Sequence, residues 1–120
     1  MSRIAKHLLP DTASANKAGH LEVGGCDLVA IAEQFGTPVF VYDEAHLRAR
    51  CAEAVKVFGR RQVVYATKAF LCGAMARLAH EEGLLLDVAT GGELFVALNA
   101  GVPGSACVLH GNNKSLDELK

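Results

Sequence analysis

The sequence predicts an α/β fold in which a parallel sheet is covered by helices. Apolar, β-rich runs recur at residues 63–66, 84–88 and 106–109, and the first two are each followed by apolar residues at helical spacing. Runs without alternating polar residues are typical of strands buried on both faces, and strands that alternate with helices favour parallel pairing. The sheet is therefore either doubly wound or part of a (β/α) barrel. A closed barrel takes about 250 residues, so a chain of 120 residues would hold only its first βα units.

Three parts follow one another along the chain. Residues 1–20 mix small, polar and charged types without a sustained period, and we expect them to form an extended or mobile lead-in. Residues 21–60 are expected to form an amino-terminal segment with the order short strand, helix, strand, helix. Residues 61–120 are expected to hold the first βα units of the sheet, in truncated form.

Both helices of the amino-terminal segment carry start and stop signals. Asp27 can cap a short amphipathic helix that ends at Gly36, because a carboxylate accepts the free N–H groups of a first turn and glycine suits the position after a helix. Residues 38–42 are apolar and aromatic after an initial proline, and they predict a strand. Asp43 then caps a longer helix that ends before Gly59.

Similar signals mark the βα units. The helix after the first run is expected to end at Gly83, and the helix after the second run at Gly101. After the third run, Ser115 and Glu118 have the S-x-x-E spacing of a capping box, in which each side chain accepts the other residue's backbone N–H. We therefore expect a further helix to begin there.

The composition argues against several kinds of partner. Twelve basic and thirteen acidic residues leave a formal charge of −1, and no Lys/Arg-rich run is present to attract nucleic acid or an anionic membrane. No segment has the length and hydropathy of a membrane helix or of a signal peptide, so we expect a soluble protein. The four cysteines are widely spaced along the chain: Cys26, Cys51, Cys72 and Cys107. This spacing favours a reducing cytoplasm and predicts neither a disulfide scaffold nor a metal site.

Lys68 directly follows the first buried strand, at the edge where a parallel α/β sheet carries its active site. Partial burial there would disfavour the ammonium form, and a neutral amine can form a Schiff base with an aldehyde. A structural lysine that extends its ammonium group from the strand end into solvent is compatible with the same pattern. The spacing by itself leaves both interpretations open.

Asp87 and His110 end the next two strands at the same edge. Asp87 follows three leucines and could orient or neutralise Lys68, or else cap the following helix or bind loop amides. His110 could titrate near neutrality, or belong to a turn of Gly and Asn with its ring bonded to the backbone. The phosphate-binding motifs G-x-G-x-x-G and G-x-x-x-x-G-K-[ST] are both absent from the sequence, which weakens a nucleotide-binding interpretation.

Four stretches carry a resemblance to a known family: GGCDL with FGTPVFVYD (residues 24–28 and 35–43), YATKA (65–69), DVATGGEL (87–94) and HGNNKS (110–115). Together they resemble the diaminopimelate decarboxylases, within the larger group of pyridoxal-phosphate-dependent decarboxylases. The YATKA motif is shared with ornithine and arginine decarboxylases, whereas HGNNKS and GGCDL with FGTP are closer to the diaminopimelate branch. Thr90 stands where serine is more usual in the family, and Phe70 where asparagine is common.

The resemblance implies a fold and a chemistry. The fold is an incomplete (β/α)8 TIM-like barrel of the alanine-racemase type. The cofactor is pyridoxal 5′-phosphate, bound to Lys68 as an internal aldimine, with Asp87 and His110 as cofactor-binding neighbours. The substrate is meso-2,6-diaminopimelate, whose decarboxylation yields L-lysine and CO2 in the last step of lysine biosynthesis. The active enzyme is a homodimer whose site borrows residues from the second subunit.

The same resemblance leaves the substrate and the activity of this chain to be tested. By resemblance, the groups that hold the pyridine nitrogen and the phosphate lie downstream of Lys120, so we expect residues 1–120 alone to be inactive. One alternative is a related decarboxylase of ornithine, arginine or carboxynorspermidine. Another is a non-catalytic homologue that binds a partner protein, against which the presence of Lys68 argues.

Overall fold

A computed structural model describes residues 4–120, which form two compact units that divide between Ala49 and Arg50. The division falls inside a helix, α2 (Glu44–Phe58), that continues through it. The sequence placed the corresponding boundary after residue 60, where the helical pattern ends. Periodicity marks the ends of elements, whereas the units are defined by contacts between elements, so the two boundaries differ.

The first unit contains a small antiparallel sheet. Its strands β1 (Ser14–Ala15), β2 (Leu21–Val23) and β3 (Cys26–Asp27) pair in this order. Gly24 and Gly25 make the turn between β2 and β3 with φ values of 58° and 79°, which glycine adopts without steric cost.

Residues 4–20 contain more regular structure than the predicted lead-in. A short 3-10 helix occupies Lys6–Leu8, and β1 pairs with β2. The side chain of Asn16 accepts the N–H groups of Ala18 and His20, each at 3.0 Å, and so holds the turn between the two strands. The sequence did not predict β1, because a strand of two residues leaves no alternation to detect.

Helix α1 (Leu28–Phe35) begins and ends where the sequence predicts. Asp27 Oδ1 accepts the N–H of Val29 at 2.8 Å, which satisfies one of the free donors of the first turn. At the other end Gly36, with φ 78°, donates its N–H to the carbonyl oxygen of Ala32 at 2.9 Å. Both predicted caps of this helix are therefore confirmed.

Residues 38–42 form no strand in the described part of the chain, which corrects the prediction made for them. Their side chains are exposed, with Phe40 at 90%. A strand exists only where a neighbouring strand shares its backbone hydrogen bonds, and the sheet of the first unit is made by β1, β2 and β3 without this segment. The residue types favour an extended backbone, but residues 4–120 contain no strand that pairs with this segment, so the predicted strand is not formed there.

Helix α2 also has the predicted limits, but most of its apolar residues are not buried. The carboxylate of Asp43 accepts the N–H of His46 at 3.1 Å and caps its start. Only Cys51 is buried in this helix, and Phe58 is 69% exposed although its helical spacing from Cys51 places both on one apolar stripe. An apolar stripe shows which side of a helix can be buried, and burial itself depends on the elements around it.

The second unit is a parallel sheet covered by two helices, as the sequence predicts. Strands β4 (Val64–Ala66), β5 (Leu85–Val88) and β6 (Cys107–Leu109) pair side by side in sequence order. Helix α3 (Gly73–Glu81) connects β4 to β5, and α4 (Gly91–Asn99) connects β5 to β6.

The core of this unit lies between β5 and the two helices. Leu86 and Val88 alternate along β5 and are fully buried, and α3 and α4 both pack against this strand. Buried helix residues complete the layer: Met75, Ala76, Leu78, Ala79 and Ala97. Removing a side chain such as Leu86 from water contributes about 1.5–3 kcal/mol.

Three further sequence signals have the predicted local role. Gly83 and Gly101 follow α3 and α4 with φ values of 96° and 88°. Ser115 and Glu118 make the reciprocal bonds of a capping box, with Glu118 Oε2 accepting the Ser115 N–H at 2.8 Å and Ser115 Oγ accepting the Glu118 N–H at 3.2 Å. These bonds surround a turn at residues 116–119 and not the helix that the sequence predicts to begin there.

Candidate active site

The carboxyl ends of β4, β5 and β6 meet at one edge of the sheet. The register joins Ala66 to Asp87 and Asp87 to Val108. Side chains of paired residues point to the same face, and successive residues of a strand point to opposite faces. Asp87 is therefore on the face opposite the buried Leu86, and we call this the open face of the sheet.

Lys68 lies directly after β4, in a 3-10 turn formed by Thr67–Ala69. Its side chain is exposed, whereas the sequence predicted partial burial, because the turn carries the lysine out of the strand. No hydrogen bond or ion pair joins it to Asp87 or to any other residue in 4–120. Its amine is thus available to a ligand.

The turn that carries Lys68 is held on both sides. Tyr65 donates its hydroxyl hydrogen to the carbonyl oxygen of Phe70 at 2.6 Å, which closes the turn around the lysine. Thr67, only 1% exposed, donates its hydroxyl hydrogen to the carbonyl oxygen of Asp87 at 2.8 Å. The sequence analysis did not single out Thr67; its only signal was a polar residue between an apolar run and a lysine.

Asp87 has a carboxylate oxygen without a hydrogen-bond donor. Its Oδ1 is buried and accepts no hydrogen bond, although one third of the whole side chain is exposed. The alternative role as a helix cap is not realised, because Thr90 and Glu93 cap α4. Thr90 Oγ1 accepts the Glu93 N–H at 3.2 Å, and Glu93 Oε2 accepts the N–H of Ala89 at 2.7 Å.

His110 is the residue nearest to that oxygen among those predicted for the site. Its Nδ1 lies 3.5 Å from Asp87 Oδ1, and its ring is 75% exposed. Its backbone N–H donates to the carbonyl oxygen of Val88 at 2.8 Å, which extends the pairing of β5 and β6 by one residue. The ring makes no hydrogen bond to the backbone, so the structural alternative considered for this histidine is not formed in the described chain.

This edge suits a polar ligand that carries an aldehyde. A free primary amine is the group that condenses with an aldehyde, and an unpartnered buried carboxylate oxygen is rare in proteins unless a ligand or water satisfies it. Lys68, in the turn after β4, and Asp87, on the adjacent strand β5, provide these two groups. Pyridoxal phosphate has the matching chemistry.

Other parts of the described chain offer less chemistry. The first unit has a groove of about 530 Å³, lined mainly by apolar side chains such as Val23, Ile31 and Val41. Burial raises the pKa of the Cys107 thiol, which disfavours its reactive thiolate. No group of three potential metal ligands is found in residues 4–120, and no helix there is long and apolar enough to span a membrane.

Comparison with known families places these residues in context. Residues 44–120 match the family described as "Pyridoxal-dependent decarboxylase, pyridoxal binding domain". The matched segment includes Lys68, Asp87 and His110.

Several known proteins are similar to the chain over almost its whole length. It is 48% identical over 116 residues to the diaminopimelate decarboxylase of Bacillus subtilis, covering 93% of this chain and 26% of that protein. It is 47% identical over 117 residues to the diaminopimelate decarboxylase of Mycobacterium bovis, covering 97% of this chain and 26% of that protein. The chain thus spans about a quarter of the length of these relatives.

Solved structures agree with the sequence comparison. The crystal structure of diaminopimelate decarboxylase from M. jannaschii superimposes with a TM-score of 0.73 at 31% identity, covering 92% of this chain and 27% of that one. A structure from Aquifex aeolicus gives a TM-score of 0.74 at 32% identity, covering 90% of this chain and 27% of that one. The βα units described above are therefore the first part of an alanine-racemase-like barrel.

Proposed function

The chain belongs to the pyridoxal-dependent decarboxylases, and from this we propose that the full-length protein decarboxylates meso-2,6-diaminopimelate to L-lysine and CO2. The observation that carries the proposal is the position of Lys68, at the carboxyl end of β4 with its amine unengaged by the described chain. The choice of substrate is supported by relatives named diaminopimelate decarboxylase at 47–49% identity. One similar structure was solved in complex with L-lysine, the expected product.

We assign the proposed decarboxylase activity to the full-length protein and not to residues 1–120 alone. Because the chain spans about a quarter of its relatives, residues 1–120 supply the lysine that holds the cofactor and its immediate neighbours. Groups for the phosphate and the pyridine nitrogen come from the rest of the enzyme. We propose that the full-length enzyme is a cytoplasmic homodimer, supported by the family resemblance and, for the compartment, by the wide spacing of the four cysteines in the sequence.

Pyridoxal phosphate, when bound, supplies an electron sink for the electron pair that stays on the α-carbon as the carboxylate leaves as CO2. Lys68 holds the cofactor through Nζ. The same Nζ, when it is not bonded to the cofactor, would be able to accept or donate a proton at the α-carbon. Asp87 Oδ1, which is buried and lacks a donor, would accept a hydrogen bond from the bound ligand.

His110 contributes through Asp87. Its Nδ1 is 3.5 Å from Asp87 Oδ1, and a small movement of either side chain makes this contact a hydrogen bond. The imidazole N–H would then donate to the carboxylate oxygen. His110 thereby orients the acidic side chain that faces the ligand.

Borohydride reduction of the full-length protein with bound cofactor tests the assignment of Lys68. Reduction fixes the cofactor covalently to the amine that holds it, and peptide mapping then identifies that residue. We expect the label on Lys68. A label on a different lysine would contradict the assignment.

Substrate specificity is tested by assaying CO2 release from diaminopimelate, ornithine, arginine and carboxynorspermidine. We expect diaminopimelate to be used with the highest kcat/KM. A preference for one of the other three would replace the proposed substrate but not the reaction class, and no release from any of them would favour a non-catalytic homologue. Purified residues 1–120 serve as a negative control, in which we expect no lysine to form.

A further inference from the structure

Thr67 is a polar residue in a core that is otherwise apolar. It is the only residue of polar or charged type that is fully buried in the part of the chain that the structure describes, with 1% exposure. Its hydroxyl is not left unsatisfied there, since it donates to the carbonyl oxygen of Asp87 at 2.8 Å. A buried hydroxyl is costly unless it is bonded, so this position depends on that one contact.

The contact lies where the pairing of β4 and β5 ends. The ladder's last pair is Ala66 with Asp87, and the chain then leaves the strand in the 3-10 turn Thr67–Ala69. A turn of this kind removes its backbone N–H groups from the ladder. The Thr67 hydroxyl supplies a donor to β5 from the place where the ladder stops.

This bond connects the two residues that the proposed site requires. Thr67 immediately precedes Lys68, and its acceptor is the backbone of Asp87, whose Oδ1 is buried without a donor. The side chain of Lys68 makes no hydrogen bond or ion pair with residues 4–120 that could hold it in place. The position of its turn relative to Asp87 is therefore set by the backbone and by this side-chain bond.

We infer that Thr67 is a positioning residue, whose buried hydroxyl holds the Lys68 turn at a set distance from Asp87 so that one ligand can engage both. The inference rests on the proposed function, because it assumes that Lys68 binds the cofactor. It goes beyond that function by assigning a role to a buried side chain that acts through the position of its neighbours.

Two substitutions separate the hydroxyl from the shape of the side chain. Thr67→Val keeps the branched shape and removes the donor, which leaves the Asp87 carbonyl oxygen short of a partner. Thr67→Ser keeps the donor and removes a methyl group. A matched control is Thr12→Val in the first unit, which removes a hydroxyl that donates to Asp43 and accepts the N–H of Gly24 at 2.9 Å.

The experiment measures the dissociation constant of pyridoxal phosphate, the fraction of Lys68 labelled by borohydride and the unfolding temperature of the cofactor-free full-length protein. For Thr67→Val we expect the dissociation constant to rise about tenfold, as the loss of one buried hydrogen bond implies, and labelling at subsaturating cofactor to fall. For Thr67→Ser we expect a change within about twofold. Thr12→Val should lower the unfolding temperature and leave the dissociation constant unchanged.

The possible outcomes distinguish this inference from the proposed function. If Thr67→Val lowers only the unfolding temperature, as Thr12→Val is expected to do, Thr67 is structural and the inference is wrong. The same conclusion follows if Thr67→Ser weakens cofactor binding as much as Thr67→Val. If the wild-type protein is not labelled at Lys68, the proposed function fails and the inference fails with it.

Discussion

Asp87 Oδ1 is buried, and Nδ1 of His110 lies 3.5 Å away without forming a hydrogen bond to it. Hydrogen bonds from nitrogen to oxygen in proteins span about 2.7–3.2 Å, so the pair is close to bonding distance. Asp87 lies in β5, and His110 is the residue after β6. These two strands are parallel neighbours, and their register brings the two side chains together. An unsatisfied oxygen at this place is expected of a site that receives its donor from a ligand.

Replacing Asp87 by asparagine should separate stability from cofactor binding. The change removes the negative charge of a carboxylate whose buried Oδ1 lacks a hydrogen-bond donor, so we expect the free energy of unfolding of the cofactor-free protein to stay the same or rise by up to about 1 kcal/mol. We expect cofactor affinity to fall about tenfold or more, since the ligand loses a charged acceptor. Equilibrium unfolding and cofactor titration measure the two effects.

Asp117→Asn is the control for this charge change, because Asp117 is exposed. Asp117→Asn should change neither the free energy of unfolding nor the cofactor affinity. A clear loss of stability in Asp87→Asn, with normal cofactor binding, would assign Asp87 a purely structural role.

Lys68→Arg should abolish activity without affecting folding. Arginine keeps the positive charge but is not deprotonated in proteins, so it cannot hold an aldehyde covalently. We expect kcat to fall at least about a hundredfold, with no borohydride label at position 68, and the free energy of unfolding to change by less than about 0.5 kcal/mol, as for an exposed side chain without partners. Lys56→Arg, on the exposed side of α2, is the matched control and should retain full activity.

The amino-terminal sheet should lose stability in acid through Asp27. The hydrogen bond from His20, with others from Val29 and Asn16, lowers the pKa of Asp27 from 3.8 to about 2. Because the folded-state pKa is depressed, the stability that the carboxylate contributes is fully present above pH 3.8 and is lost as the pH falls through about 2.

The measurement for Asp27 is its carboxyl chemical shift and the amide exchange of residues 14–27, followed by NMR as the pH is lowered. We expect the carboxyl chemical shift to change with a midpoint near pH 2. The substitution Asp27→Asn should remove this pH dependence from the amide exchange. A midpoint at the ordinary value of 3.8 would show that the bond between His20 and Asp27 does not persist in solution.

Alanine at Gly83 should destabilise the second unit more than alanine at two other glycines. Gly83 and Gly101 both have positive φ values, 96° and 88°, so an alanine at either costs about 1–2 kcal/mol. At Gly83 the new Cβ would also lie 2.8 Å from Arg60 Cζ and displace that side chain, whereas at Gly101 nothing lies within 4 Å. Gly104 has neither constraint, and Gly104→Ala should be neutral or slightly stabilising. Unfolding free energies that rank otherwise would contradict this account.

Most of the second unit was predictable because its signals are local. Apolar runs with helical patterns between them define β4, β5 and β6 and the helices that connect them, and the parallel order of the strands follows from that alternation. Caps such as Asp27 and Asp43 act within three residues of their own position, so reading them requires no knowledge of the rest of the fold.

The first unit was less predictable for a related reason. Strand β1 has two residues, too few for a period, and it was placed in an extended or mobile lead-in. Residues 38–42 have a clear strand pattern, yet the described chain provides no strand to pair with them. Whether an extended segment becomes a strand depends on its neighbour, which its own residues do not specify.

For the site, the sequence by itself determined that Lys68, Asp87 and His110 lie at the carboxyl ends of three strands that meet at one edge, because parallel strands that run in order share that edge. Only the tertiary structure decided which side chains are satisfied there. Lys68 became exposed and unbonded, Thr67 became the buried donor to Asp87, and Asp87 Oδ1 was left without one. The physical reason is separation along the chain. Thr67 and its acceptor are 20 residues apart, and periodicity describes one segment at a time, whereas a hydrogen bond between segments depends on where packing places both.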